Sequence, residues 1–356
     1  RNLKGAELAR GVAVAHFELA GNRIAPGTSE TIDIPVSRLS TDTDVGLRVR
    51  VLHGRRPGPV LFVSGSVHGD EIMGVEIIRR LLKAVNPKRL AGTLLCIPIV
   101  NAYGFVAHQR YLPDRRDLNR CFPGSTSGSL AAQLADRFTQ EIIARSDFGI
   151  DVHSAGMHRV NLPQIRISEG RPEAERMAQI FGAPAVIVSR LREGSLRETA
   201  ANLGCDVLLL EAGEALRFDE FGIRVGVSGI LRVMSQMGMG MPEPRQAAAR
   251  SIQSKRTMWL RAPEGGIFRA VKQVGSFAVD EEILGYLSDP FGDRDIEVRT
   301  PIGGLIIGRS NLPVVNQGDA LIHVAEVEVP GTAHRRLNAI EEAALSDPLF
   351  DEDEIV

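Results

Sequence analysis

The stretch PVLFVSGSVHGDEIMGVEIIRRLLKAV, residues 59–85, decides the fold. Val60 to Val63 is an unbroken apolar run ending in Ser64-Gly65-Ser66, and a strand without polar alternation belongs in the middle of a sheet covered on both faces. Beyond the turn, Ile72, Val75, Ile78, Leu81 and Leu82 recur at helical spacing, while Arg79, Arg80 and Lys83 fall off that stripe. This predicts an amphipathic helix of about four turns that starts at Glu71 or just after it. TLLCIPIVN (93–101) is a second buried strand. Strand, helix, strand is the signature of an α/β domain.

The flanking sequence extends this pattern. Upstream, TIDIPVSRL and LRVRVLHG alternate as half-buried strands do. Downstream, residues 102–129 carry much charge, scattered Gly and Pro and little periodicity, and a loop of that length inside a compact domain is usually functional. Helices are predicted at 130–143, 171–180 and 195–203, and strands at 148–153 (FGIDVH), 184–189 (PAVIVS) and 206–213 (DVLLLEAG). GMGMPEP (238–244) reads as a linker. From Trp259 to Val329 short β-rich runs alternate with Gly, Pro and Asp, and APEGGIFRAV (262–271) resembles TPIGGLIIGR (300–309), as in a pseudo-symmetric β-sandwich. The expected organisation is an N-terminal extension over 1–30, a catalytic α/β domain over 31–240, a linker over 241–258, a β-rich domain over 259–330 and an acidic tail over 331–356 that frays.

A length of 356 residues fits two or three domains at roughly 150 residues each, enough to bury a core without staples. With 42 basic against 44 acidic residues, bulk electrostatics draws the chain to neither nucleic acid nor an anionic membrane, and neither is expected as a partner. The three cysteines, Cys96, Cys121 and Cys205, lack paired spacing, which argues against a disulfide framework or a cysteine-based zinc module. Glu7, His16 and Glu18 interrupt every apolar run of the opening segment, so no secretory leader is expected there; the expected location is cytoplasmic.

The chemistry-bearing residues stand where strands end. His68 and Glu71, three apart across the turn after 60–66, can offer a nitrogen and an oxygen to one ion, and His153 at the end of the 148–153 strand is the candidate third ligand of a His₂Glu set. Glu211 closes the apolar run Val207 to Leu210, and a carboxylate there is costly unless it faces a site or a partner. In a zinc hydrolase it is the general base and acid. Arg110, Arg115, Arg116, Asp117, Asn119 and Arg120 crowd the long loop, and arginine forks with an asparagine suit a carboxylate. His53, His108, His158 and His323 lack such context and read as ordinary surface or loop histidines.

HGDE (68–71), DLNR (117–120), DVH (151–153) and LEAG (210–213), in that order, resemble the succinylglutamate desuccinylase/aspartoacylase family of the zinc carboxypeptidase clan over about residues 55–215. The 259–326 segment resembles the barrel-sandwich domain that follows the catalytic domain in that family. The implied fold is a zinc-carboxypeptidase-like mixed sheet flanked by helices, followed by a small all-β barrel-sandwich domain. The resemblance implies one Zn²⁺ per chain on His68, Glu71 and His153, with Glu211 as general base and acid. It places Asn119 and Arg120 on the substrate carboxylate and Arg110 on the scissile carbonyl, with Arg115 or Arg116 as alternatives. Asp117 would orient a ligating imidazole, and Arg159 and Arg166 would reach the acyl or side-chain group. Of the tyrosines Tyr103, Tyr111 and Tyr286, Tyr286 is the one that could swing over the site from the β-rich domain. The implied activity is deacylation of a small N-acyl amino acid. A carboxypeptidase of short peptides and a non-catalytic homologue are the alternatives. The hairpin positions Gly275-Ser276 and Gly303-Gly304 carry no lysine, so the β-rich domain reads as a lid or a homo-oligomer contact rather than a prosthetic-group carrier.

Overall fold

The computed structural model describes residues 14–241, 250–327 and 330–346; positions 1–13 of the extension, 242–249 of the linker and 347–356 of the tail lie outside them. A small hairpin, β1 (Phe17–Leu19) and β2 (Asn22–Ile24), leads into β3 (Thr28–Arg38) and β4 (Asp44–His53), the alternating strands of the sequence. The apolar run forms β5 (Arg56–Gly65), followed by α1 (Met73–Ala84) and β6 (Ala91–Ile97). The long loop contains α2 (Ala102–Ala107) and a single 3-10 turn at Leu118–Arg120 before α3 (Leu130–Glu141). Then come β7 (Phe148–Ala155), β8 (Arg159–Ile167), α4 (Pro172–Phe181), β9 (Ala185–Val188), α5 (Leu196–Asn202), β10 (Asp206–Glu214) and α6 (Glu220–Gln236).

β6, β5, β7 and β10 are mutually parallel and form the middle of a 13-stranded mixed sheet, with β4 and β8 antiparallel at its flanks. Both faces of β5 are covered, which is why its sequence does not alternate. Leu61 and Val63 pack under α1, α4 and α6, while Phe62 meets Phe138 of α3 edge-on at 5.8 Å on the opposite face. The caps are local: Ser129 accepts from Ala132 N and Ser195 from Glu198 N, and α4 begins with Pro172 and ends on Gly182 at φ 74°.

The buried stripe of α1 is rotated from the predicted one. Met73, Ile77, Ile78 and Leu81 are buried, Val75 and Leu82 are half-buried, and the helix starts at Met73, just after Glu71. The cause is a backbone contact. Gly74 lies so close to β5 that a Cβ on it would stand 2.7 Å from Gly65 Cα, which turns this face of the helix inward.

The β-rich segment comprises β11 (Ile252–Ser254), β12 (Thr257–Arg261), β13 (Gly266–Ala270), β14 (Phe277–Ala278), β15 (Ile283–Ser288), β16 (Asp295–Arg299), β17 (Gly304–Ser310), β18 (Val314–Val315) and β19 (Ala320–Glu326). Its pseudo-symmetry is visible in the pairing: β14, which follows β13, pairs with β17, and β18, which follows β17, pairs with β13. β13, β15, β16 and β18 form a separate four-stranded antiparallel sheet, but β17 joins β8 through Gly308↔Asn161, so one sheet runs from the α/β part into this segment. The end of the chain corrects another expectation. Pro330–Leu345 is a helix, α7, with Ala333, Leu337 and Ile340 buried, where a fraying tail was predicted. No helix among the described residues is long and apolar enough to cross a membrane.

Replacing Gly74 with alanine forces α1 away from β5 and is expected to lower the unfolding free energy by about 1–3 kcal/mol. Denaturant titration measures it; an unchanged midpoint would show that the contact is not tight.

Candidate metal centre and substrate pocket

The carboxyl ends of the central parallel strands converge, the usual place for a site in an open α/β sheet. Ser66, just past β5, takes a left-handed φ of 50° and donates its hydroxyl to Glu71 O at 3.1 Å, closing the turn that presents His68 and Glu71. His153 lies near the end of β7, itself paired with β5. His68 Nδ1 stands 2.8 Å from Glu71 Oε1 and His153 Nδ1 stands 2.7 Å from Glu71 Oε2, all three side chains buried. The three residues can each offer one ligand atom within 4.8 Å of the others.

The outer nitrogens are committed. His68 Nε2 is 3.0 Å from Asp117 Oδ1, and His153 Nε2 is 2.7 Å from Asp151 Oδ2, whose other oxygen accepts from Ser64 at 2.7 Å. Carboxylates on both Nε2 atoms fix each ring so that Nδ1 faces Glu71, the arrangement that supports an imidazole ligand from behind. Two neutral imidazoles and a carboxylate leave room for a further ligand, so the donor set fits a His₂Glu zinc site. Arg110 lies at the same centre, its Nη1 2.8 Å from Glu71 Oε1 and its Nη2 3.2 Å from Asp117 Oδ2.

Without a metal these groups hold one another's charge. Burial opposes the imidazolium form of His68 and His153. The charge of Glu71, with Asp117 beside His68 and Asp151 beside His153, outweighs it and raises both above the ordinary histidine value. Burial likewise opposes the ionised form of Glu71, but the two imidazoles hold its carboxyl well below the usual range. Asp117 is depressed too: burial acts against it, and its hydrogen bond to His68 and the nearby Arg110 prevail.

Glu211 on β10 is in register with His153 on β7, and residues paired across parallel strands project from the same face. Arg166 Nε stands 3.9 Å from Glu211 Oε1. Asn119 Oδ1 is engaged by Leu196 N at 2.9 Å, which leaves its amide nitrogen as the available donor. Arg120 is exposed and donates to the carbonyl of Asn119. Arg159 is not brought to the metal ligands; its guanidinium lies over Trp259, 5.7 Å from the ring centre. Tyr286 belongs to the four-stranded sheet, with Arg269 5.6 Å from its ring centre.

Three residues enter that the sequence reading did not single out, and a fourth, His323, that it read as ordinary. Asp151 shares a strand face with His153, a signal the period of two carries. Asn161 donates to Glu211 Oε2 at 3.0 Å. Arg197 of α5 donates to Ser189 Oγ and Arg190 O, while its buried Nη1 has no partner among the described residues. Burial, then the charge of Arg166, pulls its pKa down to about 10. His323, expected to be an ordinary histidine, is buried and stacked on Trp259 at 4.5 Å and 11°; burial, then Arg166, pushes it down to about 3.

Fold and donor set together define an α/β chain with a candidate metal centre at the carboxyl edge of its sheet. The succinylglutamate desuccinylase/aspartoacylase catalytic domain matches residues 57–237, and the chain belongs to that family. An N-alpha-acetyl-L-2,4-diaminobutyric acid deacetylase from Halomonas elongata is 28% identical over 299 residues, covering 77% of this chain and 84% of the relative. A solved succinylglutamate desuccinylase/aspartoacylase from Rhodobacter sphaeroides aligns with a TM-score of 0.75 at 26% identity, covering 85% of this chain and 96% of the other. The product-bound ectoine utilization protein EutE (DoeB) from Ruegeria pomeroyi shares the fold with a TM-score of 0.75 at 20% identity, covering 84% and 95%. These relatives support hydrolytic deacylation as the class of reaction.

Each Nδ1 must shed its proton before it can ligate a cation, and raised pKa values carry that competition above about pH 6.5. Zinc affinity is therefore expected to climb with pH through the neutral range. Chelator competition between about pH 6 and about pH 8 reads it; a flat profile would exclude the imidazoles as ligands.

Proposed function

We propose that this protein is a zinc-dependent amidohydrolase that removes the acyl group from an N-acylated amino acid or a related small carboxylate. The observation that carries the reading is the buried His68–Glu71–His153 cluster with Glu211 in register beside His153. His68, Glu71 and His153 hold the ion, and Asp117 and Asp151 orient the two rings. Zinc in such a site polarises the amide carbonyl and acidifies water. Glu211 takes the proton of the attacking water and returns it to the nitrogen of the leaving amine. Arg110, within hydrogen-bond reach of Glu71, puts a fixed cation where negative charge develops on the carbonyl oxygen.

The substrate carboxylate falls to donors. Among the described residues the amide nitrogen of Asn119 donates to nothing, Arg120 is next to it, and Arg166 and Arg197 carry N–H groups without partners on the far side of Glu211. Arg159, on the same strand as Asn161 and Arg166, has its guanidinium over Trp259 of the β-rich segment. A small substrate is favoured over a peptide because β17 pairs with β8 at Asn161, which brings the β-rich segment up against the residue that touches Glu211. The named activity of the Halomonas relative makes N-acetylated diamino acids the first compounds to try.

Amine release by the zinc-loaded chain from N-acetyl and N-succinyl amino acids, N-acetyl-diaminobutyrate and free dipeptides tests the reading. Turnover of an acyl-amino acid is expected, and Glu211→Gln should keep its zinc while losing about 10²–10⁴-fold in kcat. Cleavage of dipeptides alone would establish the carboxypeptidase alternative, and an active Glu211→Gln would remove Glu211 from the proton-transfer role.

A further inference from the structure

Glu211 accepts one hydrogen bond among the described residues, from Asn161 Nδ2 to Oε2 at 3.0 Å. Arg166 Nε, at 3.9 Å from Oε1, is beyond hydrogen-bond reach. A carboxylate only accepts, so the amide must turn its NH₂ towards it. A bulge makes the contact possible. Glu211 pairs with Gln164 but Gly213 pairs with Asn161, and the extra residue on β8 rotates Asn161 onto the face that Glu211 occupies.

On its other side Asn161 pairs with Gly308 of β17, Gly308 with His323 of β19, and His323 with Trp259 of β12. The row Glu211, Asn161, His323, Trp259 thus crosses the sheet with a gap at Gly308. The gap is required: a Cβ there would stand 2.8 Å from Asn161 Oδ1 and 3.4 Å from His323 Cβ.

We infer that Asn161 is a positioning residue for Glu211, seated beside Gly308 of the β-rich segment, whose missing side chain leaves room for the amide. The inference rests on the reading of Glu211 as the proton-transferring carboxylate. A glutamate at a strand end has three rotatable bonds, and a base that swings spends little time aligned with its proton. Holding Oε2 leaves Oε1 for the water. An amide suits this task because it is neutral: it orients the carboxylate without the strong charge-assisted pairing an arginine would impose. The β-rich segment then takes part in catalysis through packing, by leaving at Gly308 the space that the Asn161 amide occupies.

The test uses the full zinc-loaded chain and the best acyl-amino acid. Asn161→Ala is expected to lower kcat by about 10–100-fold with KM within about threefold and zinc content unchanged. Asn161→Asp keeps the shape and removes the donor, so it should lose at least as much. In a Glu211→Gln background Asn161→Ala should change the residual rate by less than about twofold, because nothing remains to orient. Trp259, the chain's one tryptophan, gives a readout independent of turnover: Gly308→Ala should shift its emission and lower kcat, while Asn161→Asp leaves the emission in place. Full kcat in Asn161→Ala, or equal losses in both backgrounds, would overturn the inference and leave Asn161 a packing residue. An inactive wild type across all substrates would overturn the reading of Glu211 and this inference with it; an active wild type with an insensitive Asn161 would overturn this inference alone.

Discussion

The Glu71 carboxylate is the constraint on which the arrangement depends. Its side chain is 2% exposed, and an ion that deep is tolerated only when its oxygens are matched by donors. Those donors come from three separate stretches: His68 from the turn after β5, His153 from β7 and Arg110 from the long loop. Each has its own anchor in turn, Asp117 for His68 and Arg110, and Asp151 for His153. The long loop is therefore held at the sheet's edge twice over, by these charges and by Leu112, Leu118 and Phe122, which are buried in the core beside α3. The same set has the composition a divalent cation needs, so the geometry of the ion cluster is also one that could hold a metal.

The β-rich segment is tied to this centre by backbone pairing. The β17–β8 ladder makes the sheet continuous, and Gly308 stands directly beside Asn161. The sequence suggested a lid or an oligomer contact for this segment; the register places it beside Asn161, the residue that donates to Glu211. Such a connection is invisible in composition, because it consists of one absent side chain and one bulge.

Legibility followed burial. β5 and β10 were readable because Val60–Val63 and Val207–Leu210 need apolar residues on both faces. β8 was not, since RVNLPQIRI mixes Asn161, Pro163, Gln164 and Arg166 into the strand, and the polar Asn161 and Gln164 are buried, hydrogen-bonded to Glu211 and to backbone carbonyls rather than to water. α6 was obscured by Gly222, Gly226 and Gly229, poor helix formers that admit Met73, Ile77 and Phe181 against the backbone. The tail looked solvated by its charge, yet α7 buries Ala333 and Leu337 in a distant cluster, a long-range contact that local charge does not announce. In the site the same division holds. His68, Glu71, His153 and Glu211 sit at strand ends or the turn beside one, where function is expected, whereas Arg197 arrives from a helix whose placement is purely tertiary.

Charge is distributed unevenly about Glu211. On the His153 side lie the carboxylates Glu71 and Asp151; on the other, Arg166 and Arg197 approach each other in surroundings that lower the Arg197 pKa to about 10. Two guanidinium groups brought together away from water repel, and each keeps a buried N–H without a partner among the described residues. His323, close enough for Arg166 to disfavour its protonation, adds no third charge. An anion placed between the arginines relieves their repulsion and satisfies those N–H groups in one step, so the pocket gains more from a carboxylate than its two hydrogen bonds alone would supply. On the deacylase reading proposed above, a substrate anchored there would set its scissile amide between the arginines and the histidines, beside Glu211.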